Sequence, residues 1–217
     1  MNSELLKRII SSIILIPLSI FVIVEGSILF SLFLLICFFV CMYEWCKMAN
    51  KISILLIGSA YLILSFISVY MIREYLNLNY YFLLLVLCVC VATDIGGYVF
   101  GKIFKGPKLT KISPNKTYSG VLGSYFFSMI TILVILNIKS LNLPFDFSLN
   151  LAILVLSIST VSQLGDLIVS FFKRFFKVKD TGNIIPGHGG LLDRLDGMLF
   201  AFPFSYIIIS FKILDIY

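Results

Sequence analysis

The sequence contains few charged residues. Aspartate, glutamate, lysine and arginine make up 13% of its 217 residues, whereas a soluble domain has about a quarter. Hydrophobic residues make up 60%, and the mean hydropathy is +1.06. A core of this size cannot bury so much apolar surface. The composition therefore excludes a soluble domain and predicts an all-α polytopic membrane protein.

Cysteine and histidine are also scarce. The five cysteines lie in or at the ends of apolar runs without metal-ligand spacing, so we interpret them as small buried side chains. The single histidine, His188, has no second histidine nearby, and we expect it to form hydrogen bonds rather than ligate a metal. The sequence also lacks the G-x-x-x-x-G-K-[ST] pattern of a P-loop.

Long apolar runs occupy most of the chain. A helix needs about 20 apolar residues to cross a bilayer. The first run follows Lys7 and Arg8, as in a signal peptide, but Pro17 interrupts it and no cleavage site follows, so we expect an uncleaved span. The sequence predicts about seven transmembrane helices, at roughly 9–24, 27–43, 52–72, 80–100, 119–138, 149–172 and 197–214.

The basic residues are unevenly distributed between the connecting segments. With the N-terminus in the cytoplasm, 14 of the 17 lysines and arginines lie inside, and only Arg73, Lys139 and Lys212 lie outside. The positive-inside rule therefore predicts a cytoplasmic N-terminus and an external C-terminus. The net charge of +6 then belongs to a membrane face and gives no reason to expect a nucleic-acid partner.

The first long inner loop, residues 101–118, reads GKIFKGPKLTKISPNKTY. Its glycines and prolines disfavour a simple helix. Its five lysines, Lys116 among them, can converge on phosphate oxygens, and Ser113 can add a hydrogen bond. This loop by itself is a weak indication of phosphate binding, since lysines on this face also serve topology.

The second long inner loop, 173–194, lies within SFFKRFFKVKDTGNIIPGHGGLLDRLD at 170–196. It is the longest polar and glycine-rich passage in the chain. The glycines let the backbone approach an anion and direct N–H groups at it, and the basic side chains can hold a polyphosphate. The charged residues, the histidine and the glycines concerned are Lys173, Arg174, Lys179, Asp180, Gly187, His188, Gly189, Gly190 and Arg194.

Carboxylates occur near the inner ends of several apolar runs. An ionisable group in a span is costly and usually lines a polar cavity. Asp193 and Asp196 share one helical face, and clustered carboxylates together with substrate phosphates suit Mg²⁺. The sequence thus predicts a cytoplasm-facing, metal-assisted phosphate site at the bilayer boundary. The carboxylates in question are Glu44, Asp94, Asp166, Asp193 and Asp196.

The passage at 170–196 resembles the hallmark motif of the phosphatidate cytidylyltransferases, also called CDP-diacylglycerol synthases. About a dozen fixed positions match, and the resemblance extends over 93–200. The matching positions are Ser170, Lys173, Arg174, Lys179, Asp180, Gly182, Ile185, Pro186, His188, Gly189, Gly190, Asp193, Arg194 and Asp196, with Thr93, Asp94, Gly96, Gly97, Tyr98, Gly101, Lys102, 112–117 and 165–167 upstream.

The resemblance implies that CTP and phosphatidic acid react to give CDP-diacylglycerol and pyrophosphate with Mg²⁺, and it leaves a second metal ion open. Asp166, Asp193 and Asp196 would bind metal, with Asp94 as a further candidate. Lysines and arginines would hold the phosphates, and the His188 loop would shape the nucleotide site. The cationic residues concerned are Lys116, Lys173, Arg174, Lys179 and Arg194.

The resemblance also suggests how the chain is organised. We expect residues 1–78 to be scaffold spans and residues 79–217 to be a catalytic membrane domain. The location would be the inner membrane of a bacterial cell, with the site facing the cytoplasm. The family suggests a homodimer.

Two other functions remain open at this point. A CTP-dependent kinase of dolichol or phytol type would need the same polyphosphate and metal chemistry, but it would transfer the γ-phosphoryl group to an alcohol. A transporter would use Asp94 and Asp166 as ion-coupling groups near the membrane centre, which leaves two long basic loops without a purpose.

Overall fold

The structure is a computed structural model that describes residues 3–76, 79–110, 113, 116–138, 143–185, 187 and 189–214. These residues form helices, with isolated backbone bridges and no strand among them. The helices are α1 (Ser3–Glu25), α2 (Ser27–Met48), α3 (Ile52–Glu74), α4 (Asn79–Phe104), α5 (Tyr118–Asn137), α6 (Leu149–Phe175), α7 (Leu192–Leu195) and α8 (Met198–Ser210).

Five of the described helices, α2 to α6, are long and apolar enough to cross a membrane. Two further apolar stretches are shorter, namely Ile13–Glu25 within α1 and Met198–Ser210. Large apolar side chains point outward, as Ile28 in α2 and Leu122 in α5 do, with exposed fractions of 76% and 68%. The predicted all-helical membrane architecture is therefore confirmed, while the count of seven spans remains a prediction.

Helix α4 is the central helix of the bundle. Half of its most apolar window is buried, against 17% for α2, and it packs on α1, α3, α5, α6 and α8. Phe82 and Val86 of α4 are fully buried beside Leu154 and Ile158 of α6. Because α4 also carries Asp94, its packing fixes where that carboxylate lies.

Glycines let α4 and α5 approach each other closely. A Cβ atom added at Gly123 would lie 2.5 Å from the carbonyl oxygen of Gly96, and one added at Gly120 would lie 2.9 Å from that of Gly97. Helices in membranes associate largely through such close backbone contact, because lipid gives them no hydrophobic driving force.

Hydroxyl groups add polar contacts within the same part of the bundle. Thr93 Oγ1 lies 2.8 Å from Ser159 Oγ of α6 and 3.0 Å from Ser128 Oγ of α5, and Ser124 Oγ donates to the Thr93 carbonyl at 2.8 Å. All four residues are buried. These contacts hold three helices together one residue before Asp94.

Capping residues set the N-terminal ends of α5 and α6 close to the predicted positions. Thr117 Oγ1 accepts a hydrogen bond from the Gly120 N–H at 3.1 Å, and Ser148 Oγ accepts from the Leu151 N–H at 3.1 Å. Both are N-cap bonds of the usual kind. Helix α6 continues to Phe175 and so includes Lys173 and Arg174, which the sequence placed in a loop.

The Gly123→Ala substitution should destabilise the bundle, because the added methyl group meets α4 backbone that cannot move aside. Overpacking of this kind costs about 1–3 kcal/mol. The melting temperature in detergent should fall for Gly123→Ala but not for Leu122→Ala, which alters an exposed neighbouring side chain. Equal melting temperatures for Gly123→Ala and the wild type would contradict the close α4–α5 contact.

Candidate functional site

The predicted site residues that the structure describes lie mostly at one end of the bundle, which we call the loop end. Here α2, α4 and α6 finish, α5 begins, and α7 leads into α8. Asp94, Asp166 and Asp196 are close enough for their charges to interact. The sequence placed these three carboxylates near one membrane surface, and the folded chain brings them from three different segments.

Lys116 and Asp166 form an ion pair that joins the first basic loop to α6. Lys116 Nζ lies 2.5 Å from Asp166 Oδ2 and 3.5 Å from the Gln163 carbonyl oxygen. Ser170 Oγ donates to the other carboxylate oxygen, Asp166 Oδ1, at 3.2 Å. Both charged side chains remain about a quarter exposed, so the pair is accessible to a ligand.

Asp193 is surrounded by hydrogen-bond donors. Its Oδ1 atom pairs with Lys173 Nζ at 2.8 Å. Its Oδ2 atom accepts from the Thr181 N–H at 2.8 Å, the Thr181 hydroxyl at 3.1 Å and the Gly190 N–H at 3.2 Å. The side chains of Asp193 and Lys173 are 7% and 13% exposed. Asp193 therefore fastens the glycine loop to the end of α6.

The electrostatics of Asp193 follow from these contacts. Burial alone would raise the pKa of its carboxyl, but the Lys173 ammonium group and the Thr181 and Gly190 N–H groups lower the pKa below its usual value. The carboxylate is thus held in its charged form, and its contribution to stability is complete at pH values above the pKa of the unfolded chain.

Glu44 of α2 is the site residue to which the sequence analysis gave no role. Its side chain is buried, at 1% exposure. Oε1 accepts the Leu191 N–H at 3.0 Å, and Oε2 accepts the Leu192 N–H at 2.8 Å and the Thr181 hydroxyl at 3.0 Å. The sequence does contain one indication of this role, because an acidic residue in an apolar span needs polar partners. Those partners lie more than a hundred residues further along the chain, so the spacing of residues does not reveal them.

Glycines in the second loop leave room for that carboxylate. A Cβ atom at Gly182 or at Gly190 would lie 2.6 Å from a Glu44 carboxylate oxygen. Gly187 and Gly189 have positive φ angles of 76° and 86°, which favour glycine. The Ile185 N–H donates to the Gly189 carbonyl at 3.0 Å. Close packing against Glu44 and positive φ angles therefore explain why glycine occupies these positions. His188 lies outside the described residues.

Asp196 lies between α7 and α8. Its Oδ1 atom accepts the Gly197 N–H at 2.8 Å. The pKa of Asp196 is raised to about 8, chiefly by burial and then by the charge of Asp166, whereas Lys173 and the Gly197 N–H oppose this rise. Carboxylates that disfavour each other's charge in this way would be stabilised by a bound cation.

The carboxylates alone do not complete a metal site. Among the residues that the structure describes, no three histidine, cysteine, aspartate or glutamate side chains are grouped closely enough to hold a metal ion. Oxygen donors nevertheless match Mg²⁺, which commonly takes one or two carboxylates together with water and substrate phosphates. The residues present therefore fit a magnesium ion that a phosphate ligand helps to bind.

Other predicted residues lie at the periphery of this arrangement. Arg174, Lys179 and Asp180 are exposed, and Arg194 is exposed on α7. Ser113 lies in a turn, where its N–H donates to Thr110 Oγ1 at 3.2 Å and its carbonyl accepts from the Lys116 N–H.

A pocket of about 200 Å³ lies between the end of α2 and the second loop. Lys47 and Met48 line it from α2, and Asp180, Thr181 and Asn183 line it from the loop. Thr181 also contacts Glu44 and Asp193, so one of the residues that line the pocket is hydrogen-bonded to both carboxylates.

An apolar helical bundle with basic loops and carboxylates gathered at one end is typical of an integral membrane enzyme acting on anionic substrates. The model of the Cytidylyltransferase family matches residues 49–212, well over half of the chain. The chain therefore belongs to the Cytidylyltransferase family, which confirms the resemblance found in its sequence.

Several relatives carry the name phosphatidate cytidylyltransferase. The protein from Rickettsia conorii is 36% identical over 203 residues, covering 91% of this chain and 88% of the relative. The Bacillus subtilis protein is 40% identical over 141 residues, covering 63% and 51%. The protein from Staphylococcus aureus strain COL is 46% identical over 121 residues, covering 54% and 44%.

Stability should depend on the charge of Asp193 in a definite pH range. Since its folded-state pKa is lowered, the stabilisation is complete above the unfolded value of about 3.9 and is lost as the pH falls through the folded value. The wild type should therefore melt above Asp193→Asn at pH 5 to 7, and this difference should shrink below about pH 4.

The control is Asp146→Asn, which changes an exposed carboxylate between α5 and α6. Its melting temperature should follow the wild type throughout the titration. A difference between wild type and Asp193→Asn that stays constant down to pH 3 would contradict the described contacts.

Proposed function

We propose that this protein is a phosphatidate cytidylyltransferase, which transfers CMP from CTP to phosphatidic acid and releases pyrophosphate. The observation that carries the proposal is the pairing of basic and acidic side chains at the loop end, seen in Lys116 with Asp166 and Lys173 with Asp193. The names of the relatives support the same reaction.

The reaction joins a lipid and a nucleotide. A phosphate oxygen of phosphatidic acid attacks the α-phosphorus of CTP, the bond from that phosphorus to the bridging oxygen breaks, and pyrophosphate leaves with those electrons. The attacking oxygen is already anionic near neutral pH, so the chain need not supply a nucleophile. Its residues would act by positioning the two anions and stabilising their charge.

We assign Mg²⁺ binding to Asp166 and Asp196, keep Asp94 as a further candidate, and leave a second metal ion as a prediction. When bound, the metal would neutralise phosphate charge and act as a Lewis acid. Asp193 was predicted as a ligand too, but all its described donors would compete with a metal, so we assign it to holding Lys173 and the loop. Lys116 would then exchange its contact with Asp166 for a substrate phosphate.

The remaining basic residues would bind the two substrates. Lys173 pairs with Asp193, and Arg174, Lys179 and Arg194 are exposed, where a polyphosphate can reach them. The second loop would enclose the nucleotide with its backbone N–H groups. We retain Ser113 of the first loop as a substrate-binding residue. In the second loop we retain Asp180, Gly187, His188, Gly189 and Gly190.

The orientation in the membrane belongs to the same proposal. We propose that α1 and α8 also span the bilayer, which gives seven spans with the N-terminus in the cytoplasm. The loop end then faces the cytoplasm of a bacterial cell, where CTP is made, while phosphatidic acid enters from the inner membrane. The positive-inside bias supports this orientation. A homodimer is retained as a prediction that crosslinking can test.

The decisive assay uses CTP labelled at the α- or the γ-phosphate, with purified protein in detergent and Mg²⁺. Phosphatidic acid should acquire the α-label alone, because CMP is the group transferred. Label in the lipid from γ-labelled CTP, dependent on a polyprenol, would establish a lipid kinase instead. A folded preparation that transfers neither label would reject both reactions and leave the transporter to be tested.

Replacing a metal-binding carboxylate should abolish most of the transfer. Asp166→Asn and Asp196→Asn should each lower kcat by about a hundredfold or more, because metal and phosphate charge are no longer balanced. Asp146→Asn, at the other end of the bundle, is the matched control. The prediction fails if either variant keeps near-normal turnover with an unchanged requirement for Mg²⁺.

A further inference from the structure

Glu44 has an unusual environment for a carboxylate. Among the residues that the structure describes, it is the one charged residue in the fully buried class, at 1% exposure. Its described partners are all neutral, namely the Thr181 hydroxyl and the N–H groups of Leu191 and Leu192. A buried carboxylate is costly unless donors satisfy it, so the two N–H groups and the nearby hydroxyl offset the cost of burying it.

The three donors come from the two ends of one segment. Thr181 follows Asp180 at the start of the glycine loop, and Leu191 and Leu192 lead into α7. The segment between them contains the glycines with positive φ, Gly187 and Gly189. A single side chain of α2 thus ties both ends of the loop to the bundle, and the loop conformation depends on it.

Thr181 connects Glu44 to Asp193. Its hydroxyl lies 3.0 Å from Glu44 Oε2 and 3.1 Å from Asp193 Oδ2. A hydroxyl has one proton to donate, so it can serve only one of the two carboxylates at a time. The neighbouring Lys173 pairs with Asp193 at 2.8 Å. Glu44 is therefore one hydroxyl away from residues assigned to the reaction.

We infer that Glu44 is a positioning residue for the transfer reaction, holding the loop from Thr181 to Leu192 in the shape that places Lys173 and Asp193. The inference rests on the function proposed above and extends the site into α2, within residues 1–78, which were predicted to be scaffold. Glu44 does not touch the substrates. It acts on them through the loop backbone and through Thr181.

The test compares Glu44→Gln with wild type by limited trypsin digestion in detergent, and the kcat of the transfer is measured in parallel. The glutamine amide group cannot accept the N–H that one carboxylate oxygen now accepts. Cleavage after Lys177 and Lys179 should become about tenfold faster and kcat should fall by about tenfold. Cleavage after Lys105 and Lys108 in the other loop should be unchanged, which makes those sites an internal reference.

Glu74→Gln is the matched control, because Glu74 is a partly exposed carboxylate in α3. It should change neither the cleavage rates nor kcat. Unchanged cleavage of the second loop in Glu44→Gln would overturn the inference. Equal acceleration in both loops, together with a lower melting temperature, would also overturn it, since Glu44 would then only stabilise the bundle.

Thr181→Val provides a second variant in case Glu44→Gln does not fold. It removes the shared hydroxyl and keeps the N–H bonds to Glu44, so it should accelerate cleavage of the second loop to a smaller extent. Wild-type cleavage and kcat in Thr181→Val would overturn the inference. A wild-type protein that transfers no α-label would reject the proposed function, whereas the cleavage rates would still decide whether Glu44 holds the loop.

Discussion

The structure of the loop end depends on two carboxylates that satisfy the backbone of one glycine loop. Glu44 and Asp193 together accept the N–H groups of Thr181, Gly190, Leu191 and Leu192. At a membrane boundary, buried N–H groups without partners would cost free energy comparable to lost hydrogen bonds. A loop rich in glycine has little side-chain packing of its own, so these carboxylates supply what fixes its shape.

Opposite charges at the loop end are paired with each other. Lys116 with Asp166 and Lys173 with Asp193 keep ions neutralised where water is limited. Breaking a buried pair costs more than the pair contributes to stability. The partly exposed Lys116 pair is therefore easier to separate than the more buried Lys173 pair.

The helices behind the site are arranged by small residues. Glycines of α4 and α5 allow backbone contact, and hydroxyl groups around Thr93 link α4 to α5 and α6. The residues that α4 contributes to these contacts, Thr93, Gly96 and Gly97, lie next to Asp94 in the chain. Many large apolar side chains of the helices face outward. Close packing and hydrogen bonds inside the bundle, rather than the removal of apolar surface from water, therefore hold these helices together.

The sequence by itself determined the membrane class, the main helical spans and the family, because hydropathy and motif spacing are local properties of a chain. It also predicted Asp166, Lys116 and Asp196 as site residues, and the structure brings Lys116 and Asp166 into an ion pair, while their roles stay a prediction. Only the tertiary structure decided that Asp193 is occupied by loop donors and that Glu44 belongs to the same unit. Those assignments depend on hydrogen bonds between α2 and a loop more than a hundred residues later, and spacing along the sequence does not encode which oxygen meets which donor.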